Sequence, residues 1–256
     1  MLRIGSRGPE TLSWQGLLQS QGYSPGTIDG VFGAGTADAT KSFQKAHGLE
    51  DDGVVGPATY RAALEVGWKP LAGDYPGAEF VPARWFTPSI DRDVQVIVIH
   101  TTEGQERPRQ AKNTAAWFAD ERSRGSAHYT VDPEIVVQSV LEKDIAWHSG
   151  HKGTNSRSIG VEHCGRADQT PEQWEDATST AELIHSSVLV AHLCSKYSIP
   201  VAWLTVKELK EGRSGLCGHK LVTDAFNAGK GHYDPGPSFP VARYLDLVLE
   251  QMTLEG

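Results

Sequence analysis

From residue 94 onward, short and densely apolar segments are interleaved with longer ones in which apolar residues recur every three or four positions. Val94-Gln95-Val96-Ile97-Val98-Ile99 is nearly continuous in apolar character, the pattern of a strand covered on both faces. Further strands are predicted at 127–131, 135–141 and 159–164, with a helix at 110–120. Ala177, Ala181, Ile184, Val188 and Ala191 share one helical face. That spacing predicts 171–197 as a single long amphipathic helix lying on the sheet, and a last helix is predicted over 240–252. These elements define an α/β domain, a mixed central sheet with flanking helices.

Residues 1–66 follow a different pattern. Asp29-Gly30-Val31-Phe32-Gly33-Ala34-Gly35-Thr36 recurs as Asp52-Gly53-Val54-Val55-Gly56-Pro57-Ala58-Thr59, a D-G-V-x-G-x-x-T repeat. Each Asp-Gly suits a tight turn with positive φ, and each Thr falls where a new helix begins. A preceding helix at 10–18 directs Leu12, Leu17 and Leu18 toward the same small core, which makes a three-helix module. With Gly22-Tyr23, Ile28, Phe43-Gln44 and Gly48-Leu49, the repeat resembles the helical peptidoglycan-binding module appended to many cell-wall hydrolases. That resemblance implies a wall-binding role for 1–66. The stretch Gly67-Trp68-Lys69-Pro70-Leu71-Ala72-Gly73-Asp74-Tyr75-Pro76-Gly77 has neither helical nor strand period. Residues 67–90 are therefore read as a linker and irregular lead-in to a second domain, 91–256.

With 39% hydrophobic and 22% charged residues, the composition is that of an ordinary soluble globular chain. The longest apolar runs fall far short of the roughly 18 residues a membrane span requires, so no membrane insertion is expected. A formal net charge of −8, without a Lys/Arg cluster, excludes nucleic acid as an expected partner. The three cysteines, Cys164, Cys194 and Cys217, are odd in number and form no C-x-x-C pair. They predict neither a disulfide framework nor a Cys-rich zinc knuckle. The first residues lack the apolar core of a secretory signal, which leads to an expectation of synthesis in the cytoplasm. A monomer is expected.

Ten histidines narrow the chemistry by where they stand. His100 follows the first apolar strand, His219 follows a glycine at a loop-to-helix junction, and Asp234 precedes Pro235-Gly236-Pro237. Zinc takes three or four N, O or S ligands, and these three residues supply such a set. Spacing alone does not separate it from three hydrogen-bonded residues. Other hydrolytic schemes lack their marks: there is no G-x-S-x-G elbow, no thiol-hydrolase context around a cysteine, and no marked pair of carboxylates.

Several phrases read together supply the context. Val98-Ile99-His100-Thr101-Thr102, Ser126-Ala127-His128-Tyr129-Thr130-Val131-Asp132, Ala146-Trp147-His148-Ser149-Gly150, Ser158-Ile159-Gly160-Val161-Glu162, Gly218-His219 and Asp234-Pro235-Gly236-Pro237-Ser238-Phe239 occur in this order. The set resembles the zinc-dependent type 2 N-acetylmuramoyl-L-alanine amidases, relatives of the animal peptidoglycan recognition proteins, over roughly residues 94–245. The resemblance implies Zn2+ on His100, His219 and Asp234, with Glu162 handling the attacking water. The chemistry agrees, because an amide carbonyl is a poor electrophile and a metal both polarises it and acidifies water. Bacterial relatives often carry Lys two residues before the last ligand to steady the oxyanion; here that residue is His232, which can donate the same hydrogen bond. His128, Trp147, His148 and Thr101 match positions lining the substrate cleft, with packing or hydrogen bonding to the ligands as the alternative for each.

The combination implies a hydrolase of bacterial peptidoglycan, cutting between N-acetylmuramic acid and the L-alanine of the stem peptide. It resembles a phage endolysin made in the host bacterial cytoplasm and acting at the wall after release. A bacterial autolysin and a non-catalytic peptidoglycan receptor are the competing readings. Retention of all three ligand types and of Glu162 weighs against the receptor.

Overall fold

The computed structural model describes residues 2–7, 9–68, 73–89, 91–228 and 231–254. It divides into two compact units, Met1–Pro76 and Gly77–Gly256. Of the segment read as a linker, residues 69–72 and 90 lie outside the described residues.

The first unit holds α1 (Pro9–Ser20), α2 (Ala34–Ala46) and α3 (Pro57–Glu65). Trp14, Leu18, Phe32, Phe43 and Val55 are buried among them. The inward face of α1 holds Leu17 and Leu18 as expected, but not Leu12. Leu12 is exposed, while Thr11, Trp14, Gln15 and Leu18 are buried at i, i+3, i+4 and i+7. The second and third helices also begin earlier than expected, with Gly33 and Gly56 as N-caps. Thr36 and Thr59 thus sit within the first turns, where they meet a buried glutamine. The N–H of Gly30 donates to Gln15 Oε1, and that of Gly53 to Gln44 Oε1, each at 2.8 Å. The same two amides donate through Nε2 to Thr36 and Thr59 Oγ1 at 3.1 and 3.0 Å. Gly30 and Gly53 both have φ of 74°, which L side chains disfavour. The repeat is therefore two copies of one turn, each held by a glutamine from a neighbouring helix.

The second unit runs β1 (Glu79–Phe80), β2 (Phe86–Thr87), β3 (Val96–Thr101), α4 (Gln110–Ala119), β4 (Tyr129–Val131), β5 (Val136–Gln138), β6 (Ile145–Ala146) and α5 (Lys152–Ser156). It continues with β7 (Ser158–His163), α6 (Pro171–Trp174), α7 (Ala177–Tyr197), α8 (Val206–Lys210), β8 (Gly215–Gly218), α9 (His219–Phe226) and α10 (Val241–Leu254). Six strands form one sheet in the order β1-β5-β4-β7-β3-β8. Only β4 and β5 run antiparallel; the other neighbours are parallel. A separate antiparallel pair joins β2 to β6. The lead-in is thus more ordered than its composition suggests, since β1 and β2 both fall within it.

Every residue of β3 is buried, as its apolar run predicts for a central strand. On one face Val96 and Val98 pack with Cys217, Leu204, Leu209 and Val222, beneath α8 and α9. On the other, α7 and α10 pack together, and Tyr244 meets the ring of His163. The single helix expected over 171–197 is two. Its chain is interrupted because the Asp176 carboxylate accepts the Ser179 N–H at 2.8 Å and caps a new helix. No helix among the described residues is long and apolar enough to cross a membrane. All three cysteines are free and buried.

Candidate active site

The site lies where the two central strands of the sheet and β8 end. His100 is the fifth residue of β3, and its register partner across the parallel pair is Glu162 of β7. β8 runs alongside β3 and delivers the chain directly into α9, whose first residue is His219. Asp234 is in the loop after α9, anchored where its carbonyl accepts the Lys220 N–H at 2.9 Å. Sheet pairing and one loop hydrogen bond thereby bring together residues 134 positions apart in the chain.

His100, His219 and Asp234 are all buried, and their ligand atoms lie within 4.8 Å of one another. Asp234 Oδ2 is 2.9 Å from His100 Nδ1, and Oδ1 is 3.3 Å from His219 Nδ1. Burial alone would raise the Asp234 carboxyl, but the two imidazoles beside it outweigh burial and hold the group well below the usual carboxylate range. His100 is pushed down by burial, which favours the uncharged ring that a metal requires. Two imidazole nitrogens and a carboxylate oxygen converging in a buried pocket fit a zinc ion by donor type and number. No cysteine joins the group among the described residues. Cys217, two residues before His219, faces the apolar core with Val96 and Val98.

Glu162 stands at the edge of this cluster. Its Oε2 is buried and has no hydrogen-bond partner among the described residues. Burial first, then the charges of Asp234 and Glu103, raise its carboxyl well above the usual range. His232 is more exposed, stacks on the ring of His219 at 4.3 Å between centroids, and has Nδ1 3.7 Å from Asp234 Oδ1.

The remaining expected cleft residues separate. Trp147 is 40% exposed, stacks against Trp85, and borders a groove of about 840 Å3 with Arg124, Lys152 and Asn155. His128 does not line a cleft: it is fully buried, accepts the Gly160 N–H at Nδ1 and faces the Asp144 carbonyl through Nε2. His148 is also buried rather than cleft-lining, with Nδ1 3.0 Å from His100 Nε2. Thr101 is buried too, and its hydroxyl donates to Glu103 at 2.8 Å. Ser158 and Thr154 continue the contact of His148 inward. Ser158 falls within one of the family-like phrases with no role attached to it, and Thr154 carries no sequence signal.

Two imidazoles and a carboxylate converge about one point, with the unpartnered Oε2 of Glu162 beside them, an arrangement that suits metal-assisted hydrolysis. Residues 90–237 match the N-acetylmuramoyl-L-alanine amidase family, more than half of the chain, and the protein belongs to that family. Residues 7–63 match a peptidoglycan binding domain. The chain is 29% identical over 161 residues to N-acetylmuramoyl-L-alanine amidase A of Achromobacter lyticus, covering 59% of this chain and 81% of the relative. It is 30% identical over 129 residues to the amidase CwlH of Bacillus subtilis, covering 49% of this chain and about half (48%) of that relative. In fold it resembles the Staphylococcus aureus hydrolase AmiA, with a TM-score of 0.55 at 16% identity over 72% of this chain and 86% of that one. Family membership makes the chain a peptidoglycan hydrolase of the amidase type.

Proposed function

We propose that the chain is a zinc-dependent amidase that cuts the bond between the lactyl group of N-acetylmuramic acid and the L-alanine of the stem peptide. The observation that carries this reading is the convergence of His100, His219 and Asp234 beside the unpartnered Oε2 of Glu162. His100, His219 and Asp234 would hold the ion. Bound there, zinc would supply Lewis acidity toward the amide carbonyl and the attacking water. Glu162 accepts a proton from that water at Oε2 and returns it to the leaving amine of L-alanine. His232 donates a hydrogen bond to the oxygen that becomes negative as the carbonyl is attacked. Trp147 borders the groove that receives the rest of the substrate.

Residues 1–66 form the targeting module, and 91–256 the catalytic domain. A wall-binding module tethered to a hydrolase raises its effective concentration on an insoluble polymer. This arrangement supports lysis of polymeric wall, in the manner of a phage endolysin, over processing of small soluble fragments.

The test is to incubate purified protein with peptidoglycan and follow newly exposed L-alanine amino termini by mass spectrometry. A chelator abolishes release and added zinc restores it. Full activity in rigorously metal-free protein overturns the zinc reading, and products with new reducing ends but no new L-alanine amino termini overturn the bond assignment.

A further inference from the structure

His100 and His219 differ in what lies behind them. His219 Nε2 is buried without a partner among the described residues, whereas His100 Nε2 opens a chain of hydrogen bonds leading into the protein. His148 Nδ1 is 3.0 Å from His100 Nε2, and His148 Nε2 is 3.0 Å from Ser158 Oγ. Ser158 Oγ lies 2.7 Å from the carbonyl oxygen of Thr154. Apart from the exposed edge of His148, the chain is closed to solvent.

The direction of every proton follows from its inner end. A carbonyl can only accept, so the Ser158 hydroxyl spends its one proton on Thr154. Ser158 is left to accept, which puts the His148 proton on Nε2. An uncharged His148 then offers a lone pair at Nδ1, which takes the proton of His100 Nε2. His100 is left with a lone pair at Nδ1, and that atom faces Asp234 Oδ2 at 2.9 Å. Two acceptors at this distance repel each other unless positive charge stands between or beside them.

We propose that the Thr154 carbonyl, Ser158 and His148 form a tautomer-setting relay that holds the His100 proton on Nε2 and so presents Nδ1 and Asp234 together as an unsatisfied pair for a cation. His148 and Ser158 are positioning residues. They touch neither the substrate nor the metal, and they act on the lone pair of one ligand. The partner behind a ligating histidine commonly governs its tautomer and basicity, and its loss typically costs about 10–100-fold in metal affinity. Here that role passes through a second histidine to a backbone carbonyl, so the polarity of the relay is set by a group that cannot titrate. The inference rests on the zinc reading above and extends it to residues outside the ligand set.

The experiment has two readouts besides activity. Ring-nitrogen NMR of 15N-labelled protein, zinc-loaded and metal-free, reports which nitrogen of each histidine carries the proton. Protons on Nε2 of both His148 and His100 are expected, and a proton on His148 Nδ1 overturns the relay. Zinc titration then compares the parent with Ser158→Ala, His148→Leu and His148→Asn. Leu removes the acceptor and is expected to weaken zinc binding by about 10–100-fold. Asn, whose amide oxygen takes the place of Nδ1, restores most of it, and Ser158→Ala falls between them. Thermal melting of the metal-free variants identifies any that fail to fold, in which case Ser158→Ala and the parent spectra decide. Equal zinc affinity in the parent and a folded Leu variant overturns the proposal. A parent that binds no zinc overturns the zinc reading instead, and the tautomer spectra still judge the relay.

Discussion

Gly160 lies directly against the ring of His148: a β-carbon at position 160 would stand 2.7 Å from His148 Cγ and 2.9 Å from Cδ2 and Nδ1. The ring and the strand backbone are in such close contact that position 160 tolerates no side chain while His148 keeps its place. Gly160→Ala is expected to destabilise the fold by about 1–3 kcal/mol through overpacking. Because the displaced ring is the one bonded to His100, the same variant should also bind zinc more weakly. Chemical denaturation and zinc titration measure the two effects, and loss of stability with unchanged zinc affinity would separate His148 from the metal.

Glu162 should be separable from metal binding, since it is no member of the three-residue ligand cluster. Glu162→Gln is expected to keep its zinc and lose about 10²–10⁴ in turnover, the usual contribution of a general acid–base group. Metal content by mass spectrometry and rate on a soluble muropeptide check both halves. Loss of the zinc along with the rate would make Glu162 a ligand.

His232 is expected to act on kcat rather than on metal content. Removing one oxyanion donor typically costs about 10²–10³, and its partial exposure places His232→Ala toward the lower end. His232→Lys should retain much of the rate, because the ammonium can donate from the same position. An Ala variant at the parental rate leaves the role unsupported.

A second pair of carboxyls lies away from the site. Glu182 is fully buried and Glu106 half-buried, their Oε2 and Oε1 atoms have no hydrogen-bond partner among the described residues, and burial together with the charge of Glu106 raises Glu182 well above the usual range. Burial likewise raises Glu106. A group raised in the fold contributes stability that is fully present below its unfolded value of about 4.3 and is lost as pH climbs through the folded value. Glu182→Gln keeps an acceptor for the Cys164 N–H and cannot ionise. The variant should therefore melt higher than the parent at pH 8, by about 2–4 °C per kcal/mol of relief, with the difference vanishing near pH 4. Melting curves across pH test this, and a pH-independent difference would point to packing instead.

Residues 77–256 alone, one compact unit, should cleave a soluble muropeptide at close to the full-length rate and bind sacculi more weakly. Sedimentation with sacculi reads the second effect. Equal binding with and without the first unit would remove its targeting role.

The parts of this protein that were legible in its sequence are those whose cause is local. The apolar run of β3 reports its own burial, and the paired Asp-Gly steps report two turns with positive φ. The shared order of short phrases singles out His100, Glu162, His219 and Asp234, and the fold brings His100, His219 and Asp234 together. What escaped depends on partners distant in the chain or on backbone groups. β8 is only Gly-Leu-Cys-Gly and carries no strand pattern, because its neighbours β3 and the bridge from Trp203 hold it. Leu12 is apolar and so reads as inward, whereas the helix buries Trp14 and Leu18 together with Gln15, which reaches the Gly30 turn. His128 and His148 match cleft positions with packing or hydrogen bonding as the alternative, and their burial and contacts with Gly160, Asp144, His100 and Ser158 favour the alternative, which no periodicity reveals.

The three buried cysteines give the molecule a built-in clock. Burial pushes the thiols of Cys194 and Cys217 up to about 12 and that of Cys164 higher still, so almost none exists as the thiolate that reacts. A folded molecule is therefore expected to resist thiol cross-linking and mild peroxide. Each thiol becomes available only when the core around it opens. The rate of alkylation at each cysteine thus times the breathing of a different part of the domain: Cys217 beneath α8 and α9, Cys164 beside α4 and β5, and Cys194 within the long helix.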